Sequence, residues 1–213
     1  CTFGGGGYSN KILKFSKTKV IALDRDTSVI AIARKLEKKF KKRFQFYQSK
    51  FSQIDKILKN KVDTVIFDLG ISSIQLNNFK RGFSFKSKDK LDMKMGLSSF
   101  SAQEVINNLS EAKLKLIIKI LGEEKEASKI AKNIVRARAK KKITKVSELV
   151  KIIEQSKKKN FSRTINPCTK TFQALRIFVN RETTELINGI IHATKLLRPG
   201  GKILIVSFHS IED

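Results

Sequence analysis

Cysteine is almost missing: Cys1 and Cys168 are the only two in 213 residues. Two thiols exclude a disulfide scaffold and a Cys-rich zinc site, and no metal site is expected. Long apolar runs are missing as well, since none approaches the ~20 residues of a membrane span. No signal-peptide pattern opens the sequence, so a cytoplasmic location is the default expectation. Acids are scarce, with 19 Asp and Glu against 45 Lys and Arg, a net charge of +26. What remains is still enough for a core: 40% of residues are hydrophobic, which argues against wholesale disorder. At roughly 100–200 residues per domain, the chain holds one domain, or one domain carrying a smaller one.

The charge fits a polyanionic partner, nucleic acid first, because Lys and Arg neutralise phosphates. The bias is toward lysine, 35 Lys to 10 Arg, which is also how a merely solvated surface looks. Its distribution is uneven. Residues 1–97 carry +14, residues 98–165 carry +10 and residues 166–213 carry +2, with runs at Lys140-Lys141-Lys142 and Lys157-Lys158-Lys159.

A glycine loop, Thr2-Phe3-Gly4-Gly5-Gly6-Gly7-Tyr8-Ser9, opens the chain and leads into a helix through Ile12 and Leu13. Val20–Asp24 reads as a short buried strand ending in an acid, residues 27–39 as a helix, Phe44–Tyr47 as a strand, and Val62–Asp68 as a further strand that again ends in an acid. Strands alternating with helices predict a parallel α/β sheet. The middle differs. Ser101 with Glu104 is a capping-box signal, and four helical patterns follow without a strand. The segment 98–165 is therefore expected to be a small helical domain between two core segments, 1–97 and 166–213. Two more helices, around Phe172–Val179 and Leu186–Ala193, lead through a turn at Leu196–Gly201 into a last strand, Lys202–Phe208.

Glycines let a backbone approach a ligand closely, although a tight turn alone also explains them. Asp24, seventeen positions after Gly7 at the end of the next strand, suits an acceptor for two ribose hydroxyls. Asp68 ends a later strand, at the edge where open α/β sheets bind ligands. The three together point to a nucleoside cofactor. The glycines are contiguous rather than spaced Gly-x-Gly-x-x-Gly, which argues against a dinucleotide.

Several stretches in order then resemble one family, the bacterial small-subunit ribosomal-RNA cytosine-N4 methyltransferases. They are residues 2–9, Ala22-Leu23-Asp24-Arg25-Asp26, residues 67–76 (Phe-Asp-Leu-Gly-Ile-Ser-Ser-Ile-Gln-Leu), Arg81-Gly82-Phe83-Ser84-Phe85, Leu91-Asp92-Met93-Lys94-Met95, residues 171–177 and residues 207–213. The resemblance implies a class I, Rossmann-like α/β core that binds S-adenosylmethionine, with an inserted α-helical domain. The implied substrate is the exocyclic amine of a decoding-region cytosine in 16S rRNA of the small ribosomal subunit. It implies that Gly6, Gly7 and Tyr8 surround the methionine part of the cofactor, that Asp24 binds its ribose, that Phe51 packs near its adenine, and that Asp68 and Gln75 contact it. The family usually has His where Tyr8 stands and Pro where Ile74 stands.

The cytosine amine is a poor nucleophile, so the site must align it, accept its N–H bonds and exclude water. Asp68, Ser72, Ser73 and Asp92 are the candidate acceptors. Phe83, Phe85 or Phe172 is expected either to stack on an extruded base or to pack in the core. His209 fits a substrate-facing or a structural role equally, whereas His192, within a helix, is expected to be structural. Arg176 and Asn180, one turn apart, are expected to touch RNA phosphate or to tie domains together. Methylation at cytosine C5 requires a Cys nucleophile, and residues 68–73 contain none; Cys168 is expected to be structural. The Cys1 start and the ending just after an apolar run read as cut ends. They predict a fragment that is poorly stable or aggregation-prone. The competing reading is a truncated or degenerate copy that binds RNA or cofactor without turnover.

Overall fold

A computed structural model describes residues 2–157 and 166–208. The chain divides into two compact units, one formed by residues 1–74 and 182–213, the other by residues 75–181.

The first unit has α/β architecture. After α1 (Gly7–Ile12) come β1 (Val20–Asp24), α2 (Ile30–Phe40), β2 (Phe44–Gln48), α3 (Ile54–Ile57) and β3 (Val62–Asp68). Strand β1 pairs in parallel with β2, Val20 opposite Phe44 and Asp24 opposite Gln48. Its apolar run has one face for α1 and α2, so Ala22, Val29, Ala33, Phe44 and Phe46 close one core. Asp26 caps the turn into α2 by accepting from the Ser28 N–H at 2.9 Å. Helix α4 (Ser73–Asn77) carries the chain into the second unit, and the first resumes with α10 (Glu182–Leu196) and β4 (Leu197–Val206). Strand β4 pairs in parallel with β3, Thr64 opposite Lys202 through Asp68 opposite Val206. The turn expected at 196–201 is absorbed into β4 as a register shift, because Val62 pairs Leu197 but Thr64 pairs Lys202. A second core, including Leu23, Ile54, Val65, Phe67 and Leu186, lies beneath α10. Gly189 lets that helix close down: a Cβ there would stand 2.7 Å from the Phe51 ring.

Among the described residues the two ladders do not join. A cavity of about 680 Å³ separates them, lined by Val20–Leu23 on one side and Val62–Ile66 on the other. The spatial order is therefore β2, β1, cavity, β3, β4. The chain winds outward from β1 to β2 and in the opposite sense from β3 to β4, so the reversal falls between β1 and β3.

The second unit is helical, with α5 (Ala102–Asn108), α6 (Glu111–Gly122), α7 (Ala127–Lys140), α8 (Val146–Ser156) and α9 (Thr169–Asn180). Ser101 accepts from the Glu104 N–H while Glu104 accepts from Ser101, so the capping box forms as the sequence predicts. Leu114, Ile118, Ile130, Ile134, Leu149, Ile153 and Leu175 are fully buried. Gly122 packs where a Cβ would collide with the Lys170 carbonyl at 2.5 Å. This unit reaches beyond 98–165 on both sides, and Asn180 shows why. Its side chain accepts from the Met95 N–H (2.7 Å) and Ser98 hydroxyl (2.6 Å) and donates to the Met93 carbonyl (2.8 Å), fastening the 93–98 loop to α9. Among the described residues, no helix is long and apolar enough to cross a membrane.

Candidate active site

The ends of β1 and β3 place Asp24 and Asp68 at the carboxyl edge of the first unit, beside the reversal of winding. In open α/β sheets that crevice is where ligands bind. Asp24 is tied to the glycine loop: Oδ2 accepts from the Gly4 N–H and Oδ1 from the Asp26 N–H, both at 2.9 Å. Each carboxylate oxygen keeps further acceptor capacity. Burial raises the Asp24 pKa above the usual carboxylate value, and hydrogen bonds from the backbone of Asp26, Gly4 and Phe3 partly offset the rise. Asp68 is linked to the same loop, because its N–H donates to the Thr2 hydroxyl at 2.7 Å. Thr2 and Gly4 are two residues apart, at most about 7 Å of chain, so one short segment bridges both acids. Burial raises the Asp68 carboxyl as well.

The glycines divide by role. Gly4 and Gly6 have φ of 52° and 78°, and a Cβ at Gly6 would stand 2.9 Å from the Phe3 ring. A Cβ at Gly7 would meet nothing within 4 Å, so the fold itself does not require glycine there. The backbone of Gly7 faces open space beside the loop that Asp24 holds. This is the geometry a nucleoside cofactor needs: an approachable backbone next to a ribose acceptor. Tyr8 is 47% exposed and lines the cavity between the ladders.

The loop after β3 lies over the glycine loop. A Cβ on Gly4 would be 4.0 Å from Ser72, and one on Gly5 would be 4.0 Å from Ile74. Ser73, the first residue of α4, is exposed. The structure thus gathers Gly6, Gly7, Asp24, Asp68, Ser72 and Ser73 at one edge of the first unit. Phe51 follows β2 and stands edge-on to Phe67 with ring centroids 5.4 Å apart. It packs against the second core but remains partly exposed.

Gln75 and Asp92 belong to the second unit. Gln75 is buried. Asp92 pairs with Lys94 at 3.8 Å, and its carbonyl accepts from the Ala102 N–H at 2.8 Å. In two places the structure chooses between alternatives that the sequence leaves open. Phe83 and Phe172 are buried, Phe83 beneath the Arg81 guanidinium and Phe172 edge-on to Phe85, so neither ring is available to stack on a base. Asn180 is fully buried, and its amide is spent within the second unit, so it does not reach a phosphate. Cys168 is fully buried, and its thiol is pushed up to about 12 by that burial. It is therefore a neutral structural thiol rather than a nucleophile. The ring Nδ1 of His192 lies 2.7 Å from the Ser52 carbonyl. His209 lies outside the described residues.

Sequence reasoning missed the charged group behind Asp24. Arg25 faces Glu185 and Glu182, whose charges oppose the lowering of its pKa by burial, and Lys50 pairs with Glu185 at 3.5 Å. The available signal was two acids in the first turn of α10, which is also what the helix dipole favours in any helix.

A profile of the MraW methylase family matches residues 1–213. The chain is 44% identical over 212 residues to the ribosomal RNA small subunit methyltransferase H of Bartonella tribocorum, all of this chain and 64% of that protein. It is 45% identical over 217 residues to the protein of the same name from Ehrlichia canis, covering 73% of it. The counterpart in Orientia tsutsugamushi strain Ikeda is 43% identical over 221 residues, with 70% covered. The chain thus spans a little under two thirds of the Bartonella relative's length. With the match running from the first residue to the last, the chain belongs to the MraW methylase family.

Proposed function

We propose that this chain forms the class I, Rossmann-like core of an S-adenosylmethionine-dependent enzyme that methylates the exocyclic N4 amine of a decoding-region cytosine in small-subunit ribosomal RNA. The observation that carries the reading is the joint placement of Asp24, Asp68 and the open backbone at Gly7 at one sheet edge. Family membership supplies the reaction class. The relatives' name, ribosomal RNA small subunit methyltransferase H, supplies small-subunit ribosomal RNA as the substrate.

Bound at this edge, S-adenosylmethionine supplies an electrophilic methyl group. Asp24 would accept the ribose hydroxyls with the capacity its backbone donors leave. Gly6 and Gly7 would bring main chain against the methionine part, with Tyr8 beside them, and the partly exposed Phe51 would pack near the adenine. Asp68 accepts an N–H of the cytosine amine and orients the nitrogen lone pair. A carboxyl raised by burial is a stronger acceptor than a solvated one, and Ser72 and Ser73 add hydroxyls over the glycine loop. The amine would take the methyl group as the methyl–sulfonium bond breaks and a neutral thioether leaves, and it would release one proton to solvent, so no covalent enzyme intermediate is needed. Roles for Gln75 and Asp92 rest on the resemblance alone.

The test is methyl transfer from isotope-labelled S-adenosylmethionine to small ribosomal subunits, followed by nucleoside analysis of the RNA. Label in N4-methylcytidine is expected. Label in a C5-methyl or ring-nitrogen product overturns the chemistry. Cofactor binding without any transfer establishes the competing reading, a chain that binds without turnover.

A further inference from the structure

The second unit carries a row of cations along one helix, with Glu126 at the N-cap the acid at its start. Helix α7 has no acid among its fourteen residues, although α5, α6 and α8 each begin with one, Glu104, Glu111 and Glu148. Its inner face is committed to the core through Ile130, Ala131 and Ile134. Arg138 also turns inward, donating to the Ile106 carbonyl at 2.5 Å. The other four cations, Lys129, Lys132, Arg136 and Lys140, are all exposed. They are spaced three, four and four residues apart, so each is the next one's neighbour along a single stripe about 16 Å long at 1.5 Å per residue. Lys141 and Lys142, both exposed, continue the positive charge past the helix end.

This pattern works against the helix that bears it. Like charges at such spacings repel, and Lys129 stands in the first turn, where the helix dipole disfavours a cation. Only the last cations suit the dipole. A solvated face selected for stability alternates signs; this one holds a single sign over three turns.

We infer that the exposed face of α7 is a docking surface for the phosphate backbone of RNA, one cation per helical turn to the polyanion. The inference rests on the RNA reading above and adds to it the surface that holds the RNA. Four lysine and arginine contacts act as sequence-independent positioning groups rather than as base readers. The complementary partner is a polyanion with closely spaced charges, and the relatives' RNA substrate is one.

The experiment compares the 213-residue chain with two fourfold variants carrying equal charge changes. One is K129Q/K132Q/R136Q/K140Q on α7. The other, K35Q/K38Q/K39Q/K42Q, neutralises exposed lysines on and just after α2. Affinity for a 30-nucleotide single-stranded RNA is measured against salt. Each lost phosphate contact lowers the slope of log affinity on log salt by about 0.7, so the α7 variant is expected to lose about 2–3 of slope and at least tenfold in affinity, while the control loses less than about 1. Relief of repulsion means that the α7 variant melts no lower than the parent, which separates lost contacts from lost fold. An unchanged slope in the α7 variant, or an equal loss in the control, overturns the α7 surface while the RNA reading stands. A parent without salt-dependent RNA binding overturns both. If the α7 variant loses binding to anionic lipid vesicles but not to RNA, the surface belongs to a membrane and the proposal fails.

Discussion

Gly6 and Gly7 are neighbours that are glycine for opposite reasons. Gly6 needs its left-handed backbone, and a side chain there would strike Phe3. Gly6→Ala is therefore expected to destabilise the fold by about 1–2 kcal/mol, the cost of holding an L-residue in that region. Gly7 stands in the first turn of α1 with open space before it. Gly7→Ala is expected to melt no lower than the parent yet bind S-adenosylmethionine at least tenfold more weakly. Thermal melts and titration on the same two samples check the pair, and a Gly7→Ala protein with undiminished affinity contradicts the assignment. Asp24 gives a pH signature. Because burial raises its pKa, the folded chain takes up this proton before the unfolded chain does. That titration favours the fold below the ordinary value of 3.8, and the benefit is lost as pH rises through the folded value. On the proposed role of Asp24, cofactor affinity is expected to run the other way, falling as acid protonates this carboxylate at a pH above its ordinary value. Asp24→Asn should remove that acid limb, and a variant that keeps it assigns the limb elsewhere. The acids themselves were legible, since each ends an apolar strand. The fates of Phe83, Phe172 and Asn180 were not, because residue type does not reveal whether a ring or amide is consumed by its own loop.

At the scale of elements, local pattern carried far. Strands β1 and β3 have the bounds expected for them, Val20–Asp24 and Val62–Asp68, because each is a short run rich in β-branched and apolar residues that closes on an acid. The capping box of α5 followed from two residues. Ser101→Ala should cost about 1 kcal/mol, the usual worth of such a cap; a melt unchanged within error would show that tertiary contacts alone hold α5. The Leu196–Gly201 stretch shows where local pattern stops. Its Pro and Gly residues announce a turn, yet pairing with β3 across the register shift makes it the start of β4. That pairing partner lies more than 130 residues away in sequence, out of reach of any local signal.

For the whole molecule, the sequence showed a helical segment but not its extent. The 75–100 stretch lacks helical periodicity for most of its length, and it is held to the helices by buried side chains such as Leu91 and Met93, by the Phe85–Phe172 and Phe100–Phe178 ring contacts and by single hydrogen bonds. Asn180 takes up the 93–98 loop, and the Asp92 carbonyl receives the Ala102 N–H. The α/β unit keeps its two ladders apart, so β1 and β3 each turn an edge toward the cavity that no described strand covers. Exposed edges pair between molecules, while a net charge of +26 keeps molecules apart at low ionic strength. Self-association is therefore expected to rise with salt, as screening shortens to about 3 Å at 1 M. Sedimentation velocity from low to high salt checks this, and a monomer throughout would show that the edges are protected.

The central claim is that Asp24 and the glycine loop form a cofactor site, and calorimetric titration with S-adenosylmethionine tests it most directly. Parent and Asp24→Ala chains are compared, with circular dichroism on the same samples. The account predicts saturable binding by the parent and at least tenfold weaker binding by the variant, the loss expected for hydrogen bonds to a charged acceptor at about 1.5–3 kcal/mol. A parent that is folded and does not bind, or a folded variant that binds as tightly as the parent, would contradict it.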